Sequence, residues 1–469
     1  MSVFIALYSL LFAILTWWRF HWGLTLLFFL LPSYLIRFHI RGLPSTLLEA
    51  MTWIILTIWL IQLNIKSKKN FSPQNNIYIP KNELKKTFKK YRIILCLGFT
   101  LLIAASLSVW SSSNTVKALG EWKAFYLEPF LIFLVLITSI KTKNQIKQIL
   151  RALLLSGLLT SILAIYQHFT GWMVPEAFWA NRNTFRITAW YGFPNGVGLF
   201  LAPLLPIAVY FFQEHWRESR LREKHPKTES TKNIKCSTKN LVWLMFSLTF
   251  VFASFLATFY AKSTGGLAGM AGGVGFLLLL HKKTSAWTLT LGMATLVILA
   301  ILPSSNPIKQ ELSLQDRSGQ IRISIWRETS EFLKDNPILG AGLASYPERI
   351  KTYHQTVNGE GIEIFHHPHN IFLTMWINLG LLGLGAFVGI LVWFFYKVRS
   401  SLSHKPSKDI YDIPLYMGAA MCALIVTGLV DSPYIKNDLA LLFWLLPGLL
   451  VVSSDHGELV LSQASLDKT

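Results

Sequence analysis

Charged side chains are scarce in this sequence. Asp, Glu, Lys and Arg make up 14% of its 469 residues, against about 25% in soluble domains. That shortage excludes an ordinary soluble enzyme. Cysteine is rarer still, with three residues in the chain. Cys96 and Cys422 lie inside apolar runs and Cys236 in a basic stretch, so no disulfide framework is implied. Short alternating apolar and polar segments are missing, which excludes a transmembrane β-barrel. The start, MSVFIALYSLLFAILTWW, lacks a basic leader and a small-residue cleavage site. It reads as a retained membrane segment and not as a cleaved signal.

What is present is apolar. Hydrophobic residues reach 52%, and mean hydropathy is +0.43. Apolar runs fall at 3–18, 21–36, 44–63, 92–111, 124–140, 148–168, 194–212, 241–261, 265–281, 286–303, 370–396, 413–430 and 439–453. Crossing a bilayer as a helix takes about 20 such residues. The expected fold is an all-α, polytopic transmembrane bundle of about 12–13 membrane segments, with the first two runs short for spanning.

The net charge of +20 raises nucleic acid as a partner, and its placement removes it. Lysines and arginines gather in Lys66 to Arg92, Arg217 to Lys239, and around Lys282 and Lys405. Basic loops between apolar runs mark the cytoplasmic side and suit anionic membrane lipids. Alternation from an inside loop 64–91 then places 213–240, 282–285, 397–412 and the C-terminus inside, and 112–122, 169–193, 304–369 and 431–438 outside. The organisation read from this has six parts. They are N-terminal segments 1–63, a basic cytoplasmic loop 64–91, a membrane core 92–303, a large outer loop 304–369, a second core 370–453 and a cytoplasmic tail 454–469.

The large loop is expected to be partly helical. In SGQIRISIWRETSEFLKDNP, Ile321, Ile325 and Phe332 share one helical face. Ser318 is placed to cap its start, and Pro337 to stop it after Asn336. NPILGAGL then reads as a turn.

Chemistry concentrates in the outer segments. FHHPHN brings His366, His367 and His369 to the head of the run at 370–396. One reading is a polar cap. Another is a metal site, although no matching cysteine or acidic cluster accompanies the histidines in the outer loops. The third is a general base, since imidazole titrates closest to neutral pH. Arg186 precedes Pro194-Asn195, which reads as a helix start, and Arg322 shares a helix face with Trp326 four residues on. Arg182, Arg317 and Arg327 accompany them. Outer arginines run against the topological bias. They meet either lipid phosphates and acids such as Glu328, or a bound phosphate or pyrophosphate, which guanidinium grips with two donors. In AKSTGGLAGMAGGVG, Gly265, Gly269 and Gly273 have the spacing of close helix packing, with Lys262 at their outer end. Asp431, in GLVDSPYIKND, is a candidate orienter for a histidine or an arginine.

Together these motifs resemble the O-antigen ligase and O-antigen polymerase superfamily of bacterial envelopes. The likeness rests on R-x-x-x-W from Arg322 to Trp326, NPILGAG, HPHN and LGLLGLG in that order, with FRITAWYGFPNGVG upstream. It covers roughly Gly120 to Leu450. Two positions depart from the pattern: Asn378 stands where many members have an acid, and Ser263-Thr264-Gly265 where many have Ser-Arg-Gly.

The resemblance implies a fold like that of membrane-embedded GT-C-type glycosyltransferases. It implies transfer of a glycan from an undecaprenyl-diphosphate carrier to a hydroxyl acceptor, at the outer face of the bacterial cytoplasmic membrane and without metal or other cofactor. By position it puts the catalytic roles on Arg186, Arg322 and His369. Lys262, Asn370, His367, Asn195, Trp326 and Asp431 are the accompanying substrate-binding candidates, with Asn370 or Asp431 orienting the imidazole. A polymerase using the same donor is the near alternative. A transporter or flippase is the distant one, disfavoured because the charges gather at the outer edge and not at mid-membrane.

Overall fold

Each of the thirteen apolar runs becomes helical in the computed structural model, which describes residues 2–40, 43–64, 81–181, 183–224, 232–357, 360–403 and 413–466. Arg182, Lys66 and Lys405 lie outside the described residues, as do parts of the basic loops around them. Among the described residues, seven helices are long and apolar enough to cross a membrane: Arg92–Trp110, Thr115–Ser139, Lys143–Thr170, Asn195–Arg220, Asn240–Tyr260, Ile371–Ser403 and Asn437–Ser454. Shorter apolar helices include Leu47–Leu63, Thr264–Leu280, Ser285–Ile301 and Ile413–Gly428. The protein is a polytopic helical membrane protein.

Burial sorts the helices by position. Asn437–Ser454 is the central one, with Leu442, Phe443, Trp444, Leu445 and Leu446 at 0 or 1% exposure. Ser285–Ile301 buries none of its residues and exposes Trp287, Leu291 and Ile301. A helix apolar on every face and unburied by protein is one that lipid must cover. The run at 21–36 forms only a 10-residue helix, Phe20–Phe29, followed by the 3-10 turn Leu31–Leu35. At 1.5 Å per residue that helix reaches about 15 Å, half of a hydrocarbon core of about 30 Å, so it does not cross by itself. After it comes an antiparallel hairpin, Arg37–Ile40 against Leu43–Thr46. A second one pairs Thr356–Val357 with Glu360–Gly361. The reading of an all-helical chain missed both.

Two glycine patterns set the packing beneath the site. Thr264–Leu280 packs on Ile413–Gly428. A Cβ on Gly269 would collide with the Thr427 hydroxyl, and one on Gly265 would stand 2.7 Å from Val430 Cγ2. Small residues therefore allow the contact, as their spacing predicts.

The second pattern breaks the histidine helix. At Gly380 the backbone of Ile371–Ser403 turns to φ 68°, ψ −172°, a region that side chains exclude. The freed groups are taken up by the NPILGAG segment. Leu381 N donates to Ile338 O (3.0 Å), Ala341 N to Ile377 O (2.6 Å) and Trp376 Nε1 to Pro337 O (2.7 Å). A broken helix at membrane depth needs such partners. Gly380→Ala is expected to destabilise the protein by about 2 kcal/mol or more through φ strain and collision with the Ile338 carbonyl. A lowered thermal midpoint in detergent checks this; an unchanged midpoint would mean that the kink relaxes freely.

Candidate active site

The histidine segment is built around one left-handed residue. His369 has φ 48°, an uncommon conformation for a residue with a side chain. It ends FHHPH just before the helix. Asn370 then caps that helix: its Oδ1 accepts from Phe372 N and Leu373 N, both at 3.0 Å, and its Nδ2 donates to Leu429 O at 3.0 Å. Both ends of the Asn370 amide are spent, so it does not hold the imidazole. Asp431 occupies that position, with its Oδ1 3.4 Å from His369 Nδ1. Ser432 N donates to the same oxygen at 2.8 Å.

Charge states follow from these contacts. Burial raises the Asp431 pKa, but the hydrogen bond and charge of His369, the neighbouring His367 and the Ser432 amide outweigh it. The carboxyl is held well below the usual range and is ionised. An ionised Asp431 can only accept, so His369 Nδ1 carries the hydrogen between them and Nε2 is the ring nitrogen left over. His367 lies beside it, with ring centroids 4.7 Å apart. Its Nδ1 accepts from His369 N at 3.3 Å. Burial first, then His369, lower the His367 pKa to about 3, so this ring is neutral near pH 7.

The arginines converge on the same short segment. Arg186 Nε donates to Ala261 O (2.9 Å), and its Nη2 to Lys262 O (3.0 Å) and Asn195 Oδ1 (2.9 Å). Asn195 Nδ2 passes the link on to Asp431 Oδ2 at 2.9 Å. A continuous path therefore runs Arg186–Asn195–Asp431–His369. Both ends of the Asn195 amide are used within the protein, which makes it a bridge between Arg186 and Asp431. Arg322 Nε donates to Val430 O (3.0 Å) and its Nη1 to Ser318 Oγ (2.7 Å). Burial lowers the Arg186 pKa to about 10, and the charge of Arg322 adds to it, while Glu311 and Asp431 oppose. Like charges that act on each other are favoured by an anion beside them. Neither Arg186 Nη1 nor Arg322 Nη2 has a hydrogen bond among the described residues.

The loop helix Arg317–Asp335 carries Arg322 and Trp326. Ser318 does not cap it. Asp316 does, accepting from Ser318 N and Gly319 N at 3.1 Å, and the Ser318 hydroxyl is left for Arg322. The helix stops at Asp335, ahead of Pro337. Trp326 Nε1 donates to Pro368 O at 2.9 Å, tying this helix to the histidine segment. Glu328 is buried and bonded to Ser324, His354 and Gln355 N, with no arginine among these partners. Arg327 is exposed and Arg317 opens the helix.

Lys262 has φ 49°. Beyond its carbonyl bond to Arg186, it lines a cavity of about 310 Å³ with Phe185, Tyr260, Leu267 and Glu311. Two further residues that the sequence did not single out belong here. Glu311 is bonded to Thr264, and Lys436 places its ammonium 4.4 Å over the Phe193 ring.

A metal ion has one candidate set among the described residues. Ligand atoms of His367, His369 and Asp431 lie within 4.8 Å of one another. Asp431, 62 residues beyond His369, supplies the acid that the outer-loop histidines lacked in sequence. Tetrahedral zinc with ligands at about 2.0–2.1 Å would need them roughly 3.3 Å apart, so the set would have to contract to bind one.

Comparison with known proteins gives two matches. Residues 249–388 match the sequence model of the family described as "O-Antigen ligase". A stretch of 159 residues is 28% identical to a Rickettsia conorii protein named "Putative polysaccharide ligase RC0486", covering 33% of this chain and 38% of that protein. The family match contains Lys262, Arg322 and His369; Arg186, Asn195 and Asp431 lie outside it.

Proposed function

From the match of residues 249–388 to the O-antigen ligase family we propose that the chain is a member of that family and that it transfers a glycan from undecaprenyl diphosphate to an acceptor hydroxyl. The transfer takes place at the outer face of the bacterial cytoplasmic membrane. The observation that carries this reading is the hydrogen-bonded path from Arg186 through Asn195 and Asp431 to His369, with Arg322 beside it.

The chemistry of the transfer asks for such an arrangement. The acceptor oxygen bonds to the anomeric carbon while the bond from that carbon to the diphosphate oxygen breaks. The leaving diphosphate gains concentrated negative charge, and fixed guanidinium groups stabilise it strongly where the dielectric is low. Arg186 Nη1 and Arg322 Nη2 are the donors free for that work. The acceptor proton goes to His369 Nε2, and Asp431 balances the imidazolium that results. The lipid tail stays among apolar helices while the diphosphate lies at their rim. That boundary position of the substrate accounts for a base at the head of a membrane helix.

The test is purified protein incubated with a lipid-linked oligosaccharide and candidate acceptors, with products read by mass. One block moved to a lipid or saccharide acceptor supports ligase activity, and longer carrier-linked chains indicate polymerase activity. Movement of the donor across the membrane with no new bond would replace the enzyme with a flippase. Transfer is expected to be unchanged by EDTA, because the arginines supply the countercharge. Loss of activity in EDTA with recovery on adding zinc would assign His367, His369 and Asp431 to a metal instead.

A further inference from the structure

The cavity of about 310 Å³ beside Arg186 has no part in the reaction above. It shares backbone with the clamp. Arg186 donates to the carbonyls of Ala261 (2.9 Å) and Lys262 (3.0 Å), and Tyr260, Lys262 and Thr264 on the same short turn line the cavity. Tyr260 ends the Asn240–Tyr260 span, and His168, on the opposite wall, lies in the last turn of Lys143–Thr170. The cavity therefore opens where two membrane spans give way to their loops.

Its walls are mostly hydrocarbon. His168 and Tyr260 stack with ring centroids 3.7 Å apart and 4° between planes. Phe185 lies 6.1 Å from His168, and Phe259 6.0 Å from Tyr260. Leu267 completes the lining. Polar groups are few, and the Thr264 hydroxyl is already given to Glu311. A sugar would find little here to pair its hydroxyls. A phosphate held deep inside would face the Glu311 carboxyl. An apolar occupant meets neither difficulty.

The lining also continues into the bilayer. On the Asn240–Tyr260 span, exposed Leu248, Phe252, Phe255 and Phe259 follow at three- and four-residue steps, which puts them on one face. Phe255 and Phe259 stack at 6.4 Å, and Phe259 is itself part of the cavity wall. An apolar track thus leads from within the span to the clamp. The volume is at the low end for ligand sites, about 300–1,000 Å³, so the cavity holds a segment of a long lipid and not the whole of it.

We infer that this cavity takes the isoprene units nearest the diphosphate of the lipid carrier, with Lys262 at its rim meeting the attached phosphate. The rest of the tail follows Phe259, Phe255 and Phe252 into the bilayer. The inference rests on the transfer reading for the identity of the carrier, but its test is binding and not turnover.

The full-length protein in phosphatidylcholine nanodiscs is titrated with farnesyl diphosphate and with inorganic pyrophosphate. Wild type is expected to bind the prenyl compound at least about tenfold more tightly, since each buried methylene contributes about fourfold. Leu267→Trp, which fills the cavity, should weaken farnesyl diphosphate by about tenfold and leave pyrophosphate unchanged. Phe259→Ala, at an exposed position, should weaken it by about threefold with the same selectivity. If Leu267→Trp weakens both ligands, the tryptophan has disturbed the clamp or the fold, and Phe259→Ala alone decides. Equal affinity of wild type for the two ligands, or farnesyl diphosphate binding unchanged in the variants, overturns the inference. So does loss of that binding when phosphatidylglycerol replaces phosphatidylcholine, which would make the cavity an ordinary phospholipid site. Selective loss in a protein that turns over no lipid-linked donor would keep the cavity's role and sink the transfer reading. Unselective binding in a protein that does transfer glycan would sink the cavity's role alone.

Discussion

His369→Ala is expected to lower glycan transfer by about 10²–10⁴-fold, the range for losing a general base, with binding of the lipid-linked donor preserved. Three features of the residue support so large an effect. Its Nδ1 is committed to Asp431 at 3.4 Å, which leaves Nε2 to receive a proton. Its backbone is held at φ 48°, a conformation costing on the order of 1 kcal/mol or more. The neighbouring Pro368 carbonyl is pinned by Trp326 and the following Asn370 by Leu429 O, so the surroundings enforce that conformation. Initial rates and donor affinity, measured on one preparation, separate the two quantities. Turnover near the wild-type rate would leave His369 a structural residue at the head of the helix only.

Much of the fold is legible in the amino-acid order because membrane segments announce themselves by local composition. Every apolar run became a helix, and the loop helix ended before Pro337 as its sequence indicates. The failures are all non-local or hinge on one or two positions. LGLLGLG lies within one uninterrupted apolar run, 370–396, yet the helix breaks at Gly380, where the NPILGAG segment docks. A helix start with both Asp316 and Ser318 nearby offers two caps, and the side-chain geometry chose Asp316. The hairpin Arg37–Ile40 with Leu43–Thr46 sits in the short gap between the apolar runs 21–36 and 44–63 and takes in the start of the second.

The candidate site divides the same way. Arg186, Arg322 and His369 stand out in sequence by their residue type and by a family resemblance. Their connections do not, since Asn195 meets Asp431 across 236 positions and Arg322 meets Val430 across 108.

Arg322→Lys is expected to cost about 10²–10³-fold in turnover, the size of losing one donor to developing negative charge, and to weaken donor binding. The guanidinium does two jobs at once. Its Nε and Nη1 anchor it to Val430 O and Ser318 Oγ, which fixes its plane, and Nη2 has no hydrogen bond among the described residues. A lysine has one ammonium on a flexible stem. It could take the Val430 carbonyl or the phosphate, but it cannot reproduce the fork that holds one while offering itself to the other. Releasing Val430 would also loosen the residue preceding Asp431, so the lysine variant disturbs the base as well as the clamp. Rates and donor affinity for Arg322→Lys and Arg322→Ala distinguish these roles. If lysine restores wild-type turnover where alanine does not, positive charge alone is required and the two-sided geometry is irrelevant. If both variants retain full turnover, Arg322 is a tether of the loop helix and the diphosphate is bound elsewhere.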